Sequence, residues 1–232
     1  MKDILFNLNN IRMEISFKSF DELRKRLSFY QKNNLYKINI PCKNSLKKEF
    51  LLDSIKMSRN DFPDIDVIPH FSIQHEFKGN RLNTLNSFIE FFKVVKPIGC
   101  REILLVSGSQ KRTTLDSVST LSFLNDSPLV PNSDFSIGVA FNPYLPDTLF
   151  EEEITRLEKK IKSGLVNSIW FQFGTDLKLL ENRIMIIKKI LFSDDKVNLK
   201  DSHFNLYGSI LIPSKQFIAR FKFRPWKGVY CS

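Results

Sequence analysis

Short runs of apolar and β-branched residues alternate along this chain with longer segments whose apolar positions recur every three or four residues. The short runs fall at 11–16, 35–41, 65–71, 102–107, 135–141, 166–171 and 205–212, and each predicts a strand. Most are apolar on both faces, as a parallel strand covered on both sides requires. The longer segments predict helices near 19–32, 45–57, 84–95 and 113–124, then one from Asp147 and one from Asp176. The Asp147 segment is the clearest. Phe150, Ile154, Leu157 and Ile161 form one apolar stripe, Glu151, Glu152 and Glu153 stand in the early turns, and Lys159, Lys160 and Lys162 lie near the end before Gly164. Asp147 is the expected N-cap, because a short carboxylate there accepts from the unpaired N–H groups of the first turn.

Six β-α pairs followed by a seventh strand require a parallel sheet with right-handed crossovers. The 232 residues form one expected domain over 1–232, with no linker. Length and strand count favour an α/β fold of the (β/α)8 TIM-barrel type, incomplete at seven strands. In that fold, chemistry sits on loops leaving the C-terminal ends of strands, which directs attention to Glu14, to 70–74, to 107–111, to 142–146 and to 172–176.

Composition narrows the picture only a little. The 35 Lys+Arg against 25 Asp+Glu leave a net charge of +10, which suits polyanionic partners. Abundant Asn, Ile and Phe alongside Lys explain the same excess as a compositional bias. Cys42, Cys100 and Cys231 are unclustered, so neither a disulfide framework nor a zinc site is expected. No apolar run is long enough to span a membrane, and the N-terminus lacks the apolar region of a signal peptide, so a cytoplasmic location is expected. The spacing of His70 and His75 suits metal binding on neither helix nor strand, and no metal is expected. The tail at 220–227 interleaves aromatic residues with cations as single-strand nucleic-acid binders do, but it lacks the surrounding motifs, and a surface arm accounts for it better.

The segment Ser107-Gly108-Ser109-Gln110-Lys111-Arg112 leaves a strand and enters a helix. Small residues let backbone N–H groups approach an anion, and the basic pair adds charge. An ordinary βα turn with a solvated basic pair is the competing reading.

Several strand-end motifs, in order along nearly the whole chain, resemble methylenetetrahydrofolate reductase, a flavin-dependent barrel family. Pro69-His70-Phe71-Ser72 is similar to the family's Pro-His-Leu-Thr, and 102–109 to its strand ending in Leu-Arg-Gly-Asp. Residues 137–146 are similar to Val-Ala-Tyr-Pro-Glu-x-His-Pro, 157–164 with Gln172 and Asp176 to Leu-Lys-x-Lys-Val-x-Ala-Gly followed by Thr-Gln-x-x-Phe-Asp, and 208–213 to Pro-Gly-Ile-x-Pro. The resemblance implies that FAD, reduced by NADH or NADPH, serves reduction of 5,10-methylenetetrahydrofolate to 5-methyltetrahydrofolate in one-carbon metabolism.

It also implies roles for particular residues. His70, Ser107, Gly108, Ser109 and Asn142 would line the flavin, Lys159 and Lys160 would serve its phosphates, and Gln172 would hydrogen-bond the folate's pterin. Glu14, the carboxylate of the first strand, would be the general acid, a role helped by an apolar pocket beside Met13 and Ile15. The chain departs from the family at Ser109, where the family has aspartate, in a shortened 141–146 segment, and at its end, where an eighth strand would follow. Those departures support the alternative of a non-catalytic folate- or flavin-binding relative acting as an interaction or regulatory module. A second copy or a partner chain would then complete the barrel.

Overall fold

The computed structural model describes residues 10–42, 47–76, 80–108, 115–125, 136–192, 204–211, 214–225 and 229. Ser109, Lys111 and Arg112, named above as candidates, lie outside them. The elements follow in the order β1 (Met13–Glu14), α1 (Phe20–Lys32), β2 (Lys37–Ile40), α2 (Lys48–Asp61), β3 (Asp66–Ser72), α3 (Ile73–Glu76), α4 (Arg81–Val95), β4 (Glu102–Val106), α5 (Ser117–Asn125), β5 (Ser136–Phe141), α6 (Asp147–Lys162), β6 (Val166–Phe171), α7 (Leu177–Phe192), β7 (Asn205–Tyr207) and α8 (Lys215–Phe223).

The strands neighbour one another in chain order from β1 to β7, and the pairs β1–β2, β2–β3, β5–β6 and β6–β7 are parallel. A doubly wound sheet reverses its strand order at a switch point; this one never does. Winding in one direction sends every right-handed crossover to the same side of the sheet. The fold is therefore an incomplete (β/α) barrel, with seven strands among the described residues. The chain divides into two compact units, the first Met1–Leu104 with Ser133–Phe135, the second Leu105–Asn132 with Ser136–Ser232.

In the first unit, Phe71 packs edge-on against Phe88 at 5.0 Å and in a tilted arrangement against Phe91 at 5.5 Å, both on α4. That contact sets the faces of β3. Val67, Pro69 and Phe71 point to the helices, so alternation turns Asp66, Ile68, His70 and Ser72 to the opposite face. In the second unit Phe141 plays the same part, meeting Phe150 of α6 at 6.0 Å and Phe171 at 6.2 Å. Gly138, Ala140, Ser168 and Trp170 consequently stand on the face away from α6. Each fully buried phenylalanine contributes about 1.5–3 kcal/mol.

Helix starts follow local chemistry. Ser19 caps α1 by accepting from Glu22 N at 3.2 Å while Glu22 Oε2 accepts from Lys18 N at 2.8 Å, and Asn80 caps α4 through Asn83 N at 2.8 Å. Asp147 is not the N-cap of α6: Pro146 holds that position, and Asp147, the first helical residue, accepts from Arg183 instead. Gly164, at φ 72, ends the turn after α6 where a side chain would be strained. Of the expected strands 11–16 and 205–212, the ladder takes Met13–Glu14 and Asn205–Tyr207, and 212 lies outside the described residues. Residues 215–223, read in part as a surface arm, form α8 with Ser214 as its cap.

Candidate functional site

Three polar side chains meet on the helix-free face of the first unit. The ladder sets Glu14 opposite Asn39 and Asn39 opposite Ile68, so His70, two residues beyond Ile68, projects from the same face one step further along. Asn39 Nδ2 lies 3.3 Å from Glu14 Oε2 and 3.1 Å from His70 Nε2. A carboxamide nitrogen carries two hydrogens, and this geometry gives one to each partner. His70 Nε2 then accepts, with the ring proton on Nδ1. Asn39 is 4% exposed, and burying an unpartnered amide would be costly, so the two acceptors account for its tolerance inside the sheet. Glu14 itself is exposed, not enclosed in the expected apolar pocket, because Met13 and Ile15 alternate to the other face. Nearer the strand starts, Arg12 pairs with Asp66 and donates to Ile38 O at 2.6 Å, tying β1 to β2 and β3.

A second polar group joins α2, α3 and α4. Lys48 Nζ donates to Ser87 Oγ at 2.6 Å, Ser87 Oγ donates to Glu76 Oε2 at 2.9 Å, and Lys48 stands 3.4 Å from the Glu76 carboxylate. Burial pushes the nearby Cys42 thiol up, against a hydrogen bond at Ser72, and raises Cys100 to about 12. Both shifts favour the neutral thiol over the thiolate. Among the described residues no group of three or more His, Cys, Asp or Glu is placed to hold a metal.

In the second unit the expected residues have local duties. Ser107 Oγ accepts from Ser117 N at 3.0 Å and donates to Ser117 Oγ, starting α5, while the exposed Gly108 takes φ 98. Asn142 Oδ1 accepts from Tyr144 N at 3.0 Å, and Gln172 Oε1 accepts from Phe173 N at 3.0 Å. Lys159 is exposed; Lys160 is buried and donates to Ala140 O at 3.0 Å. The loop after β5 is held by Arg183 of α7, which donates to Pro143 O, Leu145 O and Asp147 Oδ1 at 2.5, 2.6 and 2.7 Å and covers the Phe150 ring. Tyr144 from that loop lies against Gly174, where a Cβ would come within 2.5 Å of the ring.

Two further residues, neither of them part of a sequence motif, stand on the face of the second unit's strands away from α6. Trp170 and Tyr207 stack at 4.2 Å and 30°, and Trp170 Nε1 donates to Ser168 Oγ at 2.9 Å. The signal was two aromatic residues at alternating positions in neighbouring strands.

Neither the family models nor the curated proteins give a match. Among solved structures, a protein of Aquifex aeolicus described only as a structural study superposes with a TM-score of 0.50 at 12% identity, covering 95% of this chain and 80% of its own. A member of the enolase superfamily from Listeria innocua superposes at 0.48 and 10% identity, covering 90% of this chain and 46% of its own. This chain thus spans under half the length of that enolase-superfamily protein. At such identities the likeness concerns the fold alone. The class defined by fold and site is an incomplete (β/α) barrel with a carboxylate–carboxamide–imidazole group on its first three strands.

Proposed function

We propose that this chain is a flavin-dependent oxidoreductase similar to methylenetetrahydrofolate reductase, using NADH or NADPH to reduce 5,10-methylenetetrahydrofolate. The observation that carries this reading is Asn39 bridging Glu14 and His70, two residues assigned to acid and flavin roles on motif resemblance alone. Bound FAD would supply hydride transfer. Glu14 would deliver the proton to the folate nitrogen, its carboxylate oriented by Asn39, and His70 would present its Nδ1 proton away from that amide. Ser107 and Gly108 offer small groups for close approach of a flavin, and the exposed Lys159 is available to a phosphate. Lys160 fits that task less well, since its ammonium serves the β5 backbone. Gln172 keeps two N–H donors for a pterin edge beyond its contact with Phe173 N.

The test is direct. Purified protein supplied with FAD should gain a bound-flavin absorbance spectrum and a higher Tm, bleach anaerobically with NADH or NADPH, and recover colour with methylenetetrahydrofolate. Absence of any spectral or thermal response to FAD sinks the proposal. Flavin binding with neither half-reaction favours the second reading, a non-catalytic relative, to which Ser109 in place of the family's aspartate also points.

A further inference from the structure

Helix α8 carries a run of cations without counter-charges of its own. From 202 to 232 the sequence has no acidic residue, while Lys215, Arg220, Lys222 and Arg224 lie on the helix or just after it. All four are exposed, and among the described residues none of them meets a carboxylate. By contrast Arg26, Arg156 and Arg183 each pair with an acid. Four uncompensated charges along about 14 Å of helix set up a positive potential that attracts a polyanion.

The phenylalanines of α8 divide into two kinds. Phe217 and Phe221, one turn apart with ring centroids at 5.5 Å, are half-buried and are the residues of the helix that are not exposed. Phe223 is 92% exposed. At 100° per residue it stands about 140° around the helix from the middle of that pair, one turn beyond Ala219 and Arg220. Its chain neighbours are Lys222 and Arg224. The open ring therefore shares its side of the helix with cations.

That arrangement selects among polyanions. A helix that lies in a lipid surface keeps its apolar residues on one face and its cations on the other. In α8 the apolar pair is already half covered, the free ring stands among the charges, and one phenylalanine supplies far less apolar surface than stable membrane anchoring needs. A single-stranded nucleic acid fits better, because its phosphates meet the cations while an unstacked base meets the ring.

We propose that α8 is a binding surface for single-stranded nucleic acid, with Arg220, Lys222 and Arg224 on phosphates and Phe223 stacked on a base. Ser214 fixes the start of this surface by accepting from Phe217 N at 3.0 Å. Contacts of this kind tolerate different sequences. The inference stands apart from the flavin reading, since it uses none of the residues placed there.

The experiment titrates the full chain into a fluorescein-labelled oligothymidine, read by anisotropy at several salt concentrations. Saturable binding is expected, with a Kd of about 10⁻⁶–10⁻⁴ M and a log–log salt slope of about −2 for three phosphate contacts. Arg220→Gln/Lys222→Gln/Arg224→Gln should remove most of the affinity and flatten the slope. Lys178→Gln/Lys188→Gln/Lys189→Gln, which takes the same charge from exposed positions of α7, should bind as the parent does. Phe223→Leu keeps apolar bulk without the ring and should weaken binding about fivefold or more, whereas Phe223→Tyr should not. The two Phe223 variants decide the matter should the α8 triple variant fail to fold by circular dichroism. Equal loss in the two triple variants would mean attraction to net charge alone and overturns the proposal. So does equal affinity in Phe223→Leu and the parent, absence of oligothymidine binding at low salt, or binding to phosphatidylserine vesicles in its place.

Discussion

Asn39 and His70 are joined side chain to side chain at 3.1 Å even though the β2–β3 ladder pairs Asn39 with Ile68. The amide reaches diagonally along the sheet, and with its other hydrogen it meets Glu14 on β1. One buried carboxamide thus links the first three strands through side chains as well as backbone. Asn39→Leu keeps the volume but removes both donors. It should lower unfolding stability by about 1–3 kcal/mol, measured as a reduced urea midpoint, and shift the His70 ring resonances in NMR spectra. An unchanged midpoint with unchanged His70 resonances would show that the link is not formed.

Glu14 is exposed, so Glu14→Gln should leave stability within about 0.5 kcal/mol of the parent. If Glu14 is the acid of the proposed reduction, turnover of methylenetetrahydrofolate should fall by about 10²–10⁴ while flavin reduction by NADH or NADPH is untouched. Equal turnover in the variant removes Glu14 from the mechanism.

Arg183 is 4% exposed and serves two backbone carbonyls and a carboxylate at once. Arg183→Met keeps much of the packing on Phe150 but leaves the Pro143 and Leu145 carbonyls without that donor. A loss of about 2–4 kcal/mol is expected in chemical denaturation. Arg183→Lys should recover only part of it, because an ammonium cannot present the planar fork that reaches three acceptors.

Asp116 carries the clearest pH signature. Burial alone would raise its pKa, but hydrogen bonds from Ser119 N and Oγ and the Arg156 guanidinium at 2.7 Å outweigh it, and the carboxyl falls to about 2. A depressed carboxylate stabilises the fold at pH values above its unfolded pKa, and that contribution disappears as pH drops from about 4 through 2. After allowance for solvent screening of a partly exposed pair, its size is about 1 kcal/mol. Stability measured against pH should therefore fall less steeply between 4 and 2 in Asp116→Asn than in the parent. Parallel curves would contradict the assignment.

The strand and helix succession was legible in the apolar periodicity, and with it the α/β barrel winding. Boundaries suffered where one side of the ladder ran out. Among the described residues β1 and β7 each have a single strand neighbour, so residues of 11–16 and 208–211 that look β-like remain outside the ladder. Asp147 read as a cap because its charge suits a helix start, but Arg183, distant in sequence, claimed its carboxylate from the first helical position. Asn39 gave a faint signal, one of two polar positions with Lys37 in β2, and nothing in its neighbourhood named Glu14 or His70 as partners.

What the chain determines by itself is which residues alternate, which recur at helical spacing and where acids, bases and small residues can stand, because those depend on neighbours a few positions away. Which polar groups meet was decided only by the tertiary structure. Phe71 packing on α4 turned His70 to the opposite face, strand register brought Asn39 beside Glu14, and the same logic on β5 to β7 stacked Trp170 on Tyr207 beside the small side of Ala140. Register and facing are set by ladder hydrogen bonds and by helices docking on one side of the sheet, and a one-residue slip would send every one of these side chains to the wrong face.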